Sequence, residues 1–475
     1  ISADPLFTNP TEGDYHLQQG SPSIDTGDNQ EPNLPDKDLD GFTRIVDGDG
    51  NGTATVDMGV YEFRRPIRVP SEQPTIQAAI DAATEGDRVL VAPGTYSENI
   101  NFKGKAITVT SENGPEVTTI DGNNVDTVVI FTSREGRKSV LSGFTLQNGS
   151  ATSDRDYKGG GIAIQNSSPT IINNVIRNSN ACFGGGIEIS SGSPLIQRNT
   201  ITGNNNISVC SVGNGGGISI LGEGSSGHVE ILDNEISGNG LTNTSAGGGI
   251  YMGAEAPIIK GNIIKGNNAS SQGGGIYIIN PTNALIVQNL ITGNQANSGG
   301  GIYWLTGGPI LVNNTIAGNN ATNGSGIYAD GNDGQTELTN NIIVANPGQS
   351  GLYCSDFDGQ TGLAIHSNNI YSSGGMAYGG TCSDRTGTEG NISADPLFVG
   401  PTQGDYNLQQ GSPSIDSGNS LTPYLPDKDL DGHPRNMDGD GNGTAIVDMG
   451  VYEFLAPSTE SQSKTRVTVG IKNKR

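Results

Sequence analysis

The stretch GGGIYIINPTNALIVQNLITGN (273–294) is followed by the similar stretch GGGIYWLTGGPILVNNTIAGN (299–319), and this repeat decides the fold. The Gly-Gly-Gly-Ile element recurs with its Ile at positions 162, 187, 218, 250, 276, 302 and, after the variant Gly-Ser-Gly, 327. An element of the form N-x-I-x-G-N follows, as at 199–204, 234–239, 262–267, 289–294 and 314–319. Short β-branched runs between Gly and Asn at such intervals are typical of the coils of a parallel β-solenoid.

In both elements the Ile side chains are predicted to point inward and to stack on those of neighbouring coils. The Asn that opens the second element is predicted to form a column whose side chains hydrogen-bond from coil to coil: Asn199, Asn234, Asn262, Asn289, Asn314 and Asn341. A leucine-rich repeat would show L-x-x-L-x-L, which is missing, and a propeller would need longer repeats of four strands each. We therefore expect an all-β solenoid with about 25 residues per coil.

Composition and charge narrow the possible partners. Of 475 residues only 32% are hydrophobic and 5% aromatic, which suits a thin core repeated many times. The 25 basic and 49 acidic residues give a net charge of −24. This charge repels phosphates, which excludes nucleic acid as a partner and favours divalent cations. No apolar run approaches the ~20 residues that a membrane span needs.

The ends of the chain carry two copies of one module. Residues 1–63 recur at 392–454, an offset of 391, with ISADPLF, GSPSID, LPDKDLDG and VDMGVYEF in both copies. We expect the first copy to end a preceding unit, and the parent to be a tandem array. The predicted organisation is a module at 1–63, a linker at 64–74, a β-helix at 75–391, the second module at 392–454 and a basic tail at 455–475.

Open solenoid ends need caps, because their strand edges are unpaired. The stretch 75–83 is predicted to be a capping helix that plugs the first coil, and the module at 392–454 is predicted to close the other end.

Two sets of residues resemble known families. TIQAAIDAATEGDRVLVAPGTYSENI (75–100) and GKAITVTSENGPEVTTIDG (104–122) resemble the opening of right-handed parallel β-helix proteins of the pectin-lyase-like superfamily. ADPLF, GSPSID and VDMGVYEF, in both modules, are similar to the cap region of secreted bacterial choice-of-anchor Q proteins. The resemblance implies a right-handed parallel β-helix. It implies no single activity, because that superfamily includes lyases, hydrolases, epimerases and adhesins.

The strongest chemical motif is DKDLDGFTRIVD (36–47), whose acids stand at EF-hand-type loop positions with Gly41 at the sharp turn. The next residues begin a second partial set, and the late module repeats both sets. The predicted ligands of structural Ca²⁺ are Asp36, Asp38, Asp40, Asp47, Asp49, Asn51 and Asp57, and in the late module Asp427, Asp429, Asp431, Asp438, Asp440, Asn442 and Asp448. The alternative is a solvated acidic turn without metal.

The four cysteines fall into two pairs, each 28 residues apart. Residues one coil apart in matching loops lie ~5 Å from each other, which is close to disulfide reach. We therefore predict the disulfides Cys182–Cys210 and Cys354–Cys382, and with them an extracellular or cell-surface location. The alternatives are four free thiols or, less favoured, a zinc site.

An aromatic strip is predicted on the outer surface. Tyr251, Tyr277, Tyr303 and Tyr328 occupy the outward position of successive coils, with Trp304 beside them. Such a strip suits stacking against sugar rings or a partner protein. The alternative is cross-strand aromatic pairing that stabilises the sheet.

No catalytic residues are predicted, because residues 160–330 contain only seven acids and no two of these share the outward position of adjacent coils. We therefore favour a non-catalytic, calcium-stabilised structural or adhesive surface protein that assembles with copies of itself or with neighbouring tandem units. The alternatives are a lyase or epimerase acting on acidic polysaccharides, and a glycan-binding module that uses the tyrosine strip.

Overall fold

The computed structural model describes residues 2–151, 159–207, 213–222, 228–240, 244–253, 256–279, 282–331, 336–355 and 363–456. Within these residues the chain winds through three long parallel sheets and contributes one short strand to each sheet in every coil. The mean coil length is about 27 residues. The prediction of about 25 was slightly short because some loops are longer: the register advances by 25 residues from Ile162 to Ile187 but by 35 from Leu195 to Glu230.

The strands of each sheet follow one another in chain order. The first sheet consists of Ile67–Val69, Arg88–Val91, Thr108–Ser111, Val140–Ser142, Thr170–Ile172, Leu195–Gln197, Glu230–Leu232, Ile258–Lys260, Thr282–Val287, Gly308–Val312, Glu337–Thr339 and Ala364–His366. The second sheet consists of Gly94–Ser97, Thr118–Asp121, Thr145–Gln147, Val175–Arg177, Thr200–Thr202, Glu235–Ser237, Ile263–Lys265, Leu290–Thr292, Thr315–Ala317, Ile342–Ala345 and Asn369–Ser372. The third sheet consists of Ile100–Asn101, Val129–Phe131, Ile162–Ile164, Ile187–Ile189, Ile218–Ile220, Ile250–Met252, Ile276–Ile279, Ile302–Leu305, Ile327–Asp330, Ser350–Cys354 and Met376–Gly380. Three successive coils add a two-residue strand between their second-sheet and third-sheet strands, and these form a short parallel sheet: Ser150–Ala151, Asn180–Ala181 and Asn205–Asn206.

The core is the column of inward side chains that the three sheets enclose. Ile162, Ile187, Ile218 and Ile250 are paired in register and fully buried, and the inward Ile of the other two sheets stack in the same way. Burying each such side chain contributes ~1.5–3 kcal/mol. The stacking that the sequence pattern predicts is confirmed.

The predicted asparagine column is present. Each side-chain amide donates to the side-chain oxygen of the next Asn at 2.9–3.1 Å from Asn199 through Asn341. Asn174 extends the column at one end, and Asn368 and Asn391 extend it at the other. A second column, which the sequence analysis missed, uses the last Asn of the same motif: Asn204, Asn239, Asn267, Asn294 and Asn319.

The third Gly of each run allows the coils to approach closely. A Cβ added at Gly217 would lie 2.6 Å from the carbonyl oxygen of Gly249, and one at Gly249 would lie 2.6 Å from that of Gly275. These are backbone atoms of the next coil, so the neighbour cannot move aside without disturbing the ladder. The run is therefore required by packing between coils.

A helix is present at Ile76–Ala82, within the stretch 75–83 that was predicted to be a capping helix. Thr75 is its N-cap and accepts a hydrogen bond from the Ala78 amide at 3.0 Å, and Ile76 and Ile80 are fully buried against the first coil. The predicted linker at 64–74 is wrong in part, because Ile67–Val69 pairs with Arg88–Val91 and opens the first sheet. A three-residue strand is too short to stand out from its flanks.

The two modules are built alike. Each begins with an antiparallel hairpin, Phe7–Asn9 with Asp14–Leu17 and Phe398–Gly400 with Asp405–Leu408. A 3₁₀ turn lies inside each hairpin, Pro10–Glu12 and Pro401–Gln403. The remainder is held by turns and isolated bridges.

The late module lies against the side of the β-helix. The Asn313 amide donates to the Gly450 carbonyl at 3.2 Å, and the Arg435 guanidinium donates to Gln288 at 3.2 Å. These residues belong to coils well before the end of the β-helix. The module was expected to close this end of the β-helix; most of it rests on the side of the coils, and its first residue, Ile392, forms a bridge with Asn369 of the last coil.

The Cys354–Cys382 disulfide is present, with 5.0 Å between the Cα atoms, and joins neighbouring coils. The other predicted pair, Cys182–Cys210, includes Cys210, which lies outside the described residues. Most of the basic tail, from residue 457 onward, lies outside them as well.

Candidate functional site

The strongest candidate site is a group of three carboxylates that occurs once in each module. Carboxylate oxygens of Asp25, Asp47 and Asp49 lie within 4.8 Å of one another. The late module gathers Asp416, Asp438 and Asp440 in the same way. Each residue of the second trio is the first trio's equivalent at the offset of 391, so the same arrangement arises twice from the same residues.

Backbone amides hold these side chains in place. The Asp25 carboxylate accepts from the Asp49 amide at 2.6 Å, and the Asp47 carboxylate accepts from the amides of Gly50 and Gly52 at 2.8 and 2.9 Å. In the late module the Asp416 carboxylate accepts from Asp440 at 2.7 Å. Hard oxygen donors on a turn of this kind are the ligands that Ca²⁺ prefers.

The structure brings together only part of the predicted ligand set. Asp47 and Asp49, with Asp438 and Asp440, belong to the trios, and Asn51 and Asn442 donate their amides to Asp49 and Asp440 at 2.9 Å. Among the described residues, Asp36, Asp38 and Asp40, and likewise Asp427, Asp429 and Asp431, join no such group. Asp25 and Asp416 were missed, although the GSPSID motif shared by both copies marks them.

The other predicted acids make structural contacts. Asp38 accepts from the Phe42 amide at 2.8 Å, and Asp429 accepts from the His433 amide at 2.7 Å. Asp40 contacts the Nε2 atom of His16 at 2.8 Å. These carboxylates are therefore engaged in turns and local pairs within the modules.

Asp57 and Asp448 are buried beneath the trios. Asp448 accepts from the backbone amides of Asp416 and Phe454 at 2.7 and 2.6 Å. Burial, together with the nearby Glu453 charge, raises the pKa of Asp448 to about 7. Glu453 pairs with Arg435 at 3.0 Å, and both side chains are almost wholly buried. These groups brace the loop that carries the trio.

The predicted tyrosine strip forms a continuous stack. Successive rings of Tyr251, Tyr277, Tyr303 and Tyr328 are nearly parallel, with centroids 5.0–5.3 Å apart. Tyr353 continues the stack at 5.0 Å. It was missed because its coil has Gly-Leu in place of the Gly-Gly-Gly-Ile element.

The tyrosine rings in the middle of the strip are too buried to present a surface to a ligand. Tyr277 is 6% exposed and Tyr303 is 2% exposed, and the Tyr303 hydroxyl donates to Asp330 at 2.5 Å. Burial raises the pKa of Tyr277 to about 12. Because the ring faces stack on one another, they are not free to stack on a sugar, and the contacts favour the alternative in which the rings stabilise the sheet.

Trp304 is not part of this surface. It is fully buried in the core, and its indole N–H donates to the Gly331 carbonyl at 3.1 Å. Side chains alternate along a strand, so the residue after the outward Tyr303 must point inward. The placement of Trp304 beside the strip was therefore wrong.

The coil surface shows charges that are paired in the fold. Arg137 contacts Glu230 at 2.8 Å, and Lys265 contacts Glu235 at 3.1 Å. Asp233 accepts from the Gln197 amide at 3.1 Å. The acids Glu230, Asp233 and Glu235 therefore make separate local contacts.

A cleft of about 660 Å³ lies between the late module and the second sheet. Its lining is mainly apolar and includes Val344, Tyr371, Phe398 and Tyr406. The cleft marks where the module meets the coils, and the module supplies about half of its walls.

Comparisons with known proteins agree with the fold. Residues 216–392 match the family described as the right handed beta helix region, and residues 101–239 match a family of unknown function, DUF1565. The first match agrees with the parallel β-helix that the coils form in this part of the chain. No curated protein matches the chain.

Three solved structures are similar in fold. The pectate lyase Pel9A shares 15% identity at a TM-score of 0.44, over 80% of this chain and 91% of its own. The PL6 family alginate lyase AlyGC shares 14% at 0.43, over 77% of this chain and 60% of its own. A PL6 family polysaccharide lyase from Pseudopedobacter saltans shares 14% at 0.29, over 74% of this chain and 98% of its own.

Within the described residues, no helix has the length and apolar character needed to cross a membrane.

Proposed function

We propose that the chain is a non-catalytic, calcium-stabilised structural or adhesive protein of the cell surface, and that it works as a unit of a tandem or end-to-end assembly. The observation that carries the proposal is the repetition of one carboxylate trio, at matched positions, in both modules. A duplicated site of this kind suits a scaffold whose modules must be held rigid.

The chemistry of the trio supports calcium. Three carboxylates whose oxygens lie within 4.8 Å of one another repel each other, and a cation bound between them would remove that repulsion. One oxygen of Asp416 is buried and has no hydrogen-bond partner in the described residues, so a ligand there would satisfy it. Ca²⁺ accepts several carboxylate and amide oxygens in flexible geometry, which fits side chains presented by turns.

Calcium titration tests this. By calorimetry we expect two Ca²⁺ per chain, one per chain in Asp49→Asn or Asp440→Asn, and none in the double variant. At a Ca²⁺ concentration 100 times the Kd, each site should add ~2.7 kcal/mol to the free energy of unfolding of its module. Asp384→Asn, an acid outside both modules, is the matched control. Equal binding by all variants would contradict the assignment.

The absence of catalysis is tested separately. Charged residues of the coils form separate local pairs, such as Arg137 with Glu230 and Lys265 with Glu235. We expect no unsaturated uronate products from pectate, alginate or other acidic polysaccharides, with or without Ca²⁺. Their appearance would replace this proposal with the lyase alternative.

A secreted location follows from the same reasoning. Disulfides persist in oxidising compartments, and Cys354–Cys382 joins two coils near the end of the β-helix. Glycan binding at the tyrosine strip stays a prediction; Tyr251 and Tyr328, which are only partly buried, are its more accessible members.

A further inference from the structure

The two modules share their sequence but not their exposure. In the late module Tyr406 is 6% exposed, and Met449 and Val451 are fully buried. Their equivalents in the first module are 48%, 43% and 52% exposed, and belong, with Leu39 at 70%, to one apolar face: Tyr15, Leu39, Met58 and Val60. The residues are the same, so the difference comes from what each module is packed against.

The late module buries these residues on the flank of its own β-helix. We use "flank" for the outward side chains of the second sheet at Leu290, Thr315, Ala317 and Ile342. Tyr406 and Val451 pack with Leu290 and Ala317, and Met449 packs with Ile342.

Polar contacts fix the position of the late module. The Val451 amide donates to the Thr315 hydroxyl at 3.1 Å. The Gly450 amide donates to the Asn340 carbonyl at 2.7 Å. A Cβ at Gly450 would lie 2.7 Å from the Thr315 hydroxyl, so the fit is close.

Within the part of the chain that the structure describes, the first module has no such neighbour. A Cβ at Gly59, the equivalent of Gly450, would meet nothing within 4 Å. The module touches the first coils through a different side, where Phe42 faces Lys138 and Gly86. Its apolar face therefore remains open to solvent, although the residues on it are those that make the interface in the other copy.

The flank of the same β-helix cannot cover this face. It lies seven strand spacings along the second sheet from the first strand, Gly94–Ser97, about 34 Å at ~4.8 Å per spacing. Residues 64–66 alone join the module to the strand Ile67–Val69. The flank is also already occupied by the late module.

We propose that the apolar face of the first module docks on the flank of a second β-helix of this sequence, one whose flank is free. The inference rests on the proposed role as a unit of an assembly and names the surface that joins the units. Because the face and the flank are different surfaces, the contact is heterologous, and a chain can accept it only when its own late module has left the flank.

The test opens the flank in the full-length chain. Val451→Asp places a charge in the buried interface and releases the late module, so the first module of another copy can dock in its place. By sedimentation velocity in Ca²⁺ we expect the unsubstituted chain to be monomeric and Val451→Asp to form dimers and larger species as concentration rises. Adding Val60→Asp should abolish this association. Adding Val125→Asp, at a valine of the coils that is 73% exposed, should leave it intact.

Cross-linking gives the register of the contact. In the Val451→Asp background, a Thr315→Cys chain mixed with a Val60→Cys chain should give a disulfide-linked dimer, since Val451 and Thr315 are in contact within one chain. A Val125→Cys chain should give none. Hydrogen exchange shows whether the late module has dissociated from the flank in Val451→Asp. If it has not, Met449→Asp is added to remove a second apolar contact with the flank.

Two results would overturn the proposal: association that survives Val60→Asp, or a monomer whose flank is shown to be open. Neither result bears on the calcium titration or on the polysaccharide assay described above, so those two experiments distinguish failure of this contact from failure of the proposed function.

Discussion

At the scale of single residues, Glu188 is the least expected group in the fold. It occupies an outward position of the third sheet, yet its side chain is fully buried. It pairs in register with Ser219, which is equally buried. Burial raises the pKa of Glu188 well above its ordinary range. A carboxyl in this position is stable in the fold mainly in its protonated form.

Glu188→Gln should therefore stabilise the protein at neutral pH. The folded state holds the proton more tightly than the unfolded state, so the carboxyl of the natural chain favours folding below its ordinary pKa, and this contribution is lost as the pH rises toward the raised value. We expect a gain of ~1–3 kcal/mol at pH 7, because Gln removes the cost of keeping a buried carboxyl protonated above its ordinary pKa, and little gain at pH 4. Urea unfolding at both pH values measures it; an equal effect at both would rule out titration as the cause.

At the scale of elements, the asparagine columns supply the strongest polar contacts between coils. Asn262 receives hydrogen bonds from the backbone and side-chain amides of Asn234, and its own amide donates to Asn289 and to the Ile231 carbonyl. All of these atoms are buried. One residue thus connects three successive coils.

Asn262→Ala should lower the free energy of unfolding by ~2–4 kcal/mol, because it leaves several buried donors and acceptors unpaired. Asn297→Ala is the matched control: its amide donates to the Ser270 carbonyl at the surface, and its loss should change stability by less than ~0.5 kcal/mol. Chemical denaturation of both variants gives the comparison. A similar decrease in the free energy of unfolding for both variants would mean that burial does not determine how much these hydrogen bonds stabilise the fold.

The coils and the first asparagine column were predictable because their signals are local and repeated. The strand Ile67–Val69 was not, because nothing in three residues reveals a partner twenty positions away. Asp25 was missed for a similar reason: it joins Asp47 and Asp49 only after the module folds. Tyr353 was hidden by one departure from the repeat.

At the scale of the whole molecule, the sequence of the late module does not predict which surface of the β-helix it packs against. Its sequence is nearly that of residues 1–63, yet Val451 is buried and Val60 is half exposed. A signal exists in the coils. The residue that follows the column asparagine points outward. It is polar in earlier coils, as at Thr200 and Glu235, and apolar in the coils that the module covers, as at Ile263 and Leu290.

The last coils depend on a covalent link as well as on stacking, since a terminal coil has a neighbour on one side only. Replacing both Cys354 and Cys382 by Ala should lower the unfolding free energy of this end by ~2–4 kcal/mol. Hydrogen exchange should show faster opening of Ala364–His366 and Met376–Gly380, with the middle coils unchanged. Uniform acceleration along the chain would indicate that the fold opens as a single unit.

The close approach of the glycine runs also constrains how this protein can change in length. Each glycine run packs closely against the backbone of the next coil. An insertion or deletion must therefore leave each run in contact with the run of the neighbouring coil. Removing residues 273–298, the 26 residues between the starts of two runs, would join one complete coil to another and leave both asparagine columns unbroken. Removing half as many would shift every later strand by half a coil, so that it could no longer pair with the equivalent strand of the preceding coil. Outside the loops, whose length varies from coil to coil, lengthening and shortening during evolution are thus expected in whole coils, as duplications and losses of one repeat.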